Sequence, residues 1–175
     1  MPATISEAIA GLSAGRENVL ETVYPSLSAT GPGRLIGQLC DSIPLRIRGI
    51  KLSHVLFGPL VAPFALLGYL QMKVTGRRYV VTNRSVKVMS SLGERLLGSA
   101  SLSEFDSIAI DERPGQRFFH AADVVLLKPN GDELLRFPGV ARPDRFRQVI
   151  VDARNARLLN DAALRTIQAR RPVSA

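Results

Sequence analysis

The apolar and polar positions of the chain fall into three successive patterns. In residues 4–14, Ile5, Ile9 and Leu12 share one helical face, Thr4 and Glu7 form a capping-box pair, and Gly15 can stop the helix. Residues 24–33, with two prolines and two glycines, predict a loop. From Arg34 to Ile50 the apolar residues Leu35, Ile36, Leu39, Ile43, Leu45 and Ile47 are interleaved with arginines, and Pro44 breaks any helix. This second pattern reads as an interfacial strip lying against headgroups.

The third pattern starts with residues 52–72, LSHVLFGPLVAPFALLGYLQM, which carry no charge. As a helix this run can cross the roughly 30 Å hydrocarbon core of a bilayer. Arg46, Arg48 and Lys51 precede it, and Lys73, Arg77 and Arg78 follow it. Leu52, Leu56, Pro59, Pro63, Leu67 and Leu70 mark it as a membrane segment. Pro59 and Pro63 each remove an amide from the helical ladder, a loss that membrane helices tolerate when neighbours resatisfy the backbone. Three conformations stay open: a kinked single span, a re-entrant segment bent near Gly58-Pro59, and a buried core segment. His54, near one end of the run, is assigned no chemistry.

After Lys73 the period changes to that of strands. Residues 78–82 and 85–90 flank the turn Asn83-Arg84, and Val86 and Val88 alternate with Lys87. Residues 94–102 predict a third strand with a bulge at Gly98, and residues 107–111 a fourth. ADVVLLK and ELLRF flank Pro129-Asn130-Gly131-Asp132, and an Asn-Gly between two apolar runs is a strong hairpin signal. Arg142-Pro143-Asp144 opens a helix whose buried face carries Phe146, Val149, Ile150, Ala153 and Ala156. The expected organisation is an N-terminal region over 1–50, a membrane segment over 51–73, a β domain over 74–160 and a tail over 161–175.

Net charge is +8, which favours acidic partners such as phospholipid headgroups. The cations are scattered and do not alternate with aromatic residues, so nucleic acid is not the expected partner. Cys40 is the only cysteine, which excludes an internal disulfide. The first positive side chain is Arg16, so no cleaved secretory signal is expected. A cytoplasmic face of the cell membrane is the expected location.

About six strands in consecutive hairpins, followed by one amphipathic helix, is the order of a pleckstrin-homology-like (PH-like) barrel. The stretch Y-V-V-T-N-R-S-V (79–86) resembles the opening of bacterial PH-like domains, a membrane-associated family once described only as a domain of unknown function. F-D-S-I (105–108), R-P-G-Q (113–116), A-D-V-V-L (122–126) and F-P-G-V-A-R-P-D-R-F (137–146) follow in the family's order, and Tyr24-Pro25-Ser26 looks like its upstream segment. The resemblance implies an α+β, mainly β fold: a PH-like antiparallel barrel with a C-terminal capping helix, preceded by a membrane segment and without known enzymatic activity. Many relatives have two spans before the barrel, whereas this chain has one clear run. Arg84-Ser85 stands where the family usually carries a basic pair.

Two histidines and one cysteine exclude His/Cys metal sites of the usual spacing, and no nucleotide-binding or nucleophile-elbow motif occurs. No catalytic residue, metal or cofactor is expected. Asp106, Asp111, Glu112 and Asp123 form the nearest approach to a carboxylate cluster. They read either as ligands of a divalent cation or as solvent-facing partners of Arg113 and Arg117. Phe118-Phe119 either closes one end of the barrel or reaches a bilayer or partner. Lys73, Arg77, Arg78, Arg84 and Lys87 form the candidate lipid-headgroup cluster, with a topogenic role for the first three as the plainer reading. The expected function is a non-enzymatic, membrane-anchored scaffold that binds membrane lipids and a still unidentified protein partner; the alternative is a peripheral anionic-lipid-binding module.

Overall fold

A computed structural model describes residues 17–44, 46–47 and 50–170; the helix expected over 4–14 and the end of the tail lie outside the described residues. The fold is α+β. One antiparallel sheet has the order β1-β4-β5-β6, with β1 Val19–Val23, β4 Arg77–Thr82, β5 Ser85–Ser90 and β6 Leu96–Ser101. A second has the order β7-β8-β9, with β7 Ser107–Asp111, β8 Ala121–Leu127 and β9 Glu133–Ala141. A short hairpin pairs β2 Arg46–Ile47 with β3 Ile50–Lys51. The helices are α1 Gly31–Asp41, α2 Leu52–Thr75 and α3 Pro143–Arg170.

The two larger sheets and α3 enclose one core. Tyr79, Val81, Val86 and Val88 enter it from the first sheet, Val124, Leu126 and Phe137 from the second, and Phe146, Ile150 and Ala153 from α3. Ala156, expected on the buried face, is exposed. Tyr79, Phe137 and Phe146 form an aromatic trio, the closest pair edge-on at 5.2 Å between ring centres. The sheets do not close into a hydrogen-bonded barrel among the described residues. β6 and β7 are consecutive in sequence but unpaired, because the chain turns through Leu102, Glu104 and Phe105 between them. A single bridge, Pro25 to Val140, links the two sides.

Most strands fall where their alternation places them, but β1 does not announce itself. It pairs with β4 far along the chain, Val23 opposite Tyr79. α1 replaces the first half of the expected interfacial strip and begins inside the expected loop. Thr30 caps it by accepting the Gly33 amide, Pro32 occupies its first turn, and Ser42 and Pro44 follow its end.

α2 runs unbroken through Pro59 and Pro63, with no bend-back at Gly58-Pro59. Both prolines fall on the exposed side, and the apolar stretch is not buried inside the protein, so the core-segment reading is not adopted. α3 continues to Arg170, through residues assigned to a tail.

One buried carboxylate joins these parts. The β8–β9 register shifts between Ala122 and Val124, so Asp123 faces the two bulged residues Pro138 and Gly139. Asp123 is fully buried. It accepts the Gly139 amide at 3.0 Å and the Gln116 side-chain amide at 2.5 Å, and it pairs with Arg136 at 3.1 Å and Arg113 at 3.2 Å. The bulge's carbonyls are also used. Pro138 accepts the Tyr79 hydroxyl, and Gly139 accepts the Ser26 amide. Burial pushes the Tyr79 phenol above its ordinary value, so it remains a donor.

Removing this carboxylate leaves the Gly139 amide and the buried Gln116 side-chain amide without their acceptor, and takes one ion partner from each of Arg113 and Arg136. Asp123→Ala is therefore expected to destabilise the full chain by about 2–6 kcal/mol, the cost of leaving two buried donors without an acceptor. Thermal unfolding followed by circular dichroism checks it; a melting temperature equal to wild type would contradict the assignment.

Candidate functional site

α2 has two unlike sides. Phe57, Gly58, Val61, Ala65, Gly68 and Met72 are half-buried and face inward, with Leu27 in contact range above Gly68. Leu56, Pro59, Pro63, Leu67 and Leu70 form the opposite face, where Leu67 is 64 % exposed; Leu52 begins the helix half-buried. Leu60 and Phe64, both 67 % exposed, extend it on one side, and the exposed Ala62, Leu66 and Tyr69 on the other. The exposed face thus takes up a little over half of the helix circumference. The result is a contiguous exposed apolar surface on an otherwise charged protein, which marks a lipid or protein contact. By length and composition α2 is one helix able to cross a membrane.

The C-terminal end of this face has a polar and aromatic rim. The Lys73 amine lies 5.6 Å from the Tyr24 ring centre and 5.5 Å from that of Tyr69. Arg77 is exposed beside Tyr24, and Arg78 donates to the Gly93 carbonyl at 3.0 Å. The five predicted cations do not form one cluster. Lys73, Arg77 and Arg78 gather here, whereas Arg84 occupies the turn at the far end of the β4–β5 hairpin, about 17 Å along the strand from Arg77. Lys87 lies toward that far end and pairs with Glu17 at 2.6 Å.

The β domain carries a second surface. β7 is an edge strand, paired only with β8, and a groove of about 590 Å³ runs between it and α3. Ser107 and Ile108 line one side, and Gln148, Val151 and Asn155 the other. Arg154 crosses the end, its guanidinium 5.3 Å from the Phe105 ring centre and bonded to the Asp106 carbonyl.

The carboxylates do not make a cation site. Asp111 and Asp123 do face each other across β7–β8, but Arg136 and Arg113 lie between them. Arg136, not Arg117, is the second partner, and Asp123 is buried rather than solvent-facing. Hydrogen bonds from Arg136 hold the Asp111 and Glu133 carboxyls below their usual range. Among the described residues, no three His, Cys, Asp or Glu side chains are grouped to hold a metal ion. Burial pushes the Cys40 thiol up, away from nucleophilic character. Phe118 and Phe119 neither plug the core nor project freely. They stack edge-on at 4.9 Å, and Phe118 meets His54 of α2 at 5.2 Å.

No family model, curated protein or solved structure matches this chain.

Glu17 supplies a pH-dependent element beside the basic residues. Hydrogen bonds from Lys87, Ser85 and Thr82 lower its pKa from 4.5 to about 2. A depressed folded-state value stabilises the fold above pH 4.5, and that contribution is lost as pH falls toward 2. The pair is partly exposed, so its worth is below about 1 kcal/mol. Glu17→Gln is expected to flatten the fall in stability between pH 5 and 2, measured by urea unfolding across that range; an unchanged slope would remove the assignment.

Proposed function

We propose that this chain is a membrane-anchored PH-like domain acting as a non-enzymatic scaffold at the cytoplasmic membrane. The observation that carries this reading is the exposed apolar face of α2, attached to a β domain whose own core is closed. A four-stranded and a three-stranded antiparallel sheet with a C-terminal helix are compatible with PH-like architecture. Ser28, Ser53, Thr82, Gln116 and Asp123 are all committed to structural hydrogen bonds. The surface proposed for a protein partner is the β7 edge with its groove against α3, where an extended segment can add as a strand.

A second reading follows from the rim at the C-terminal end of α2. Lys73, Arg77 and Arg78 sit where they can reach anionic headgroups, each contributing about 1 kcal/mol near a membrane surface. In this peripheral-module reading Arg84 and Lys87 are not direct contributors.

Flotation of the full chain with phosphatidylcholine vesicles, with and without phosphatidylglycerol, separates the two readings. Replacing Leu60, Phe64 and Leu67 by Gln is expected to abolish flotation on both vesicle types without lowering the melting temperature. Lys73→Glu with Arg77→Glu is expected to reduce binding several-fold, and only to the anionic vesicles. Flotation lost with the charge changes but kept with the Gln changes would favour the peripheral module.

The scaffold role is tested by a photo-crosslinking residue placed at Ser107 in cells, with a control at Asn130. A discrete adduct from Ser107 and none from Asn130 is expected; equal or absent adducts would refute the edge-strand surface.

A further inference from the structure

Both ends of α2 are held by the same β domain. At its first turn, His54 meets Phe118, and Ser53 donates to the Cys40 carbonyl of α1. α1 is itself fastened to the domain. A Cβ on Gly37 would lie 2.0 Å from the Gly115 carbonyl oxygen, and Gln38 donates to Pro114. At the last turn, the Ser91 hydroxyl donates to the Lys73 carbonyl at 2.7 Å, and the Ser91 amide to that of Gly76 at 2.9 Å. His54 and Lys73 are about 28 Å apart along the helix axis. The β domain therefore flanks nearly the whole length that would have to lie in hydrocarbon.

Charged groups accompany both ends. The Asp41–Lys51 ion pair, Glu112, Arg113 and Arg117 border a groove at the first turn, and Lys73, Arg77, Glu94 and Arg95 lie near the last. A helix standing upright in the bilayer would carry one of these groups, and the domain between them, through the apolar layer. Charge carried into the apolar layer is costly. A helix lying flat meets no such cost.

The apolar surface is arranged for the flat orientation. Leu35 and Leu39 are exposed on the side of α1 opposite Gly33, Gly37 and Cys40, and so point away from the β domain. Leu92, 63 % exposed, tips the hairpin that contacts the end of α2. Tyr24, Tyr69 and Lys73 supply the aromatic and cationic groups that favour the headgroup level.

Resting on the membrane reading above, we infer that α1 and α2 embed side-on in a single leaflet of an anionic bilayer, so that both ends of α2 remain on one side of the membrane. The net charge of +8 complements such a surface. A second copy of the chain is a poorer occupant, because one packed helix cannot cover more than half the circumference of α2.

The full chain is expressed with Cys40 replaced by Ser or Ala, whichever melts as wild type, and with a single thiol at Ser42→Cys or Glu94→Cys. These sites mark the two ends of α2. Sealed inside-out membrane vesicles are treated with a membrane-impermeant maleimide before and after detergent. The two sites are expected to behave alike: both labelled without detergent, or both protected until it is added. One site labelled and the other protected would establish a span and overturn the inference. Recovery of the chain in the soluble fraction, as a monomer or a dimer, would instead remove the membrane reading on which it rests.

Discussion

The arrangement depends on a carboxylate buried where it has no access to water. Burying Asp123 is costly unless every lone pair is met, and here two amides and two guanidinium groups meet them. Its partners are the points at which the helical segment attaches. Gln116 shapes the loop that presents Gly115 to Gly37 of α1, accepting the Arg113 amide as it does so. Gly139, in the left-handed region at φ +61°, approaches Ala29 so closely that a Cβ would lie 2.5 Å from its amide nitrogen. Its carbonyl accepts the Ser26 amide. One side chain thus positions both seats of the segment leading into α2.

That coupling gives the apolar helix its orientation. α2 alone is a nearly uniform hydrophobic rod with little to distinguish its sides. The distinction is imposed at Gly68, where Leu27 packs, and by α1, held through Gly37. The bulky residues Leu60, Phe64 and Leu67 are left outside. At roughly 25 cal/mol per Å², covering several such side chains is worth many kcal/mol to whatever surface receives them. The β domain contributes little to that gain directly. Its part is to decide which side of the helix is offered.

How legible this was in the sequence varied by kind of contact. Local patterns were read well: the β4–β5 hairpin around Asn83-Arg84, the turn at Gly131, and the Pro143 start of α3 all rest on short-range turn and cap chemistry. Of the six residues from Leu52 to Leu70 assigned to the membrane segment, five lie on the exposed face of α2, whereas Leu52 is half-buried. β1 was not, because its pairing with β4 leaves no trace in its neighbours. The role of Asp123 was hidden for the same reason. A strand carboxylate reads as solvent-facing unless the bulge opposite it, and the arginine across the sheet, are known. The basic cluster failed differently: proximity in sequence joined residues that a hairpin sends to opposite ends.

All but one of the stretches that carried the family resemblance share one neighbourhood; F-D-S-I lies apart, against α3. Gly115 and Gln116 of R-P-G-Q, Asp123 of A-D-V-V-L, Pro138 and Gly139 of F-P-G-V, Tyr79 of Y-V-V-T and Ser26 of Y-P-S meet around the β9 bulge. Their chemistry is that of a joint: glycines where backbones touch, a buried acid, and a phenol donating to a carbonyl. Such residues fix how the segments meet without specifying a ligand. The outer face of α2 and the β7 edge lie outside this joint, where side chains are free to change without disturbing it.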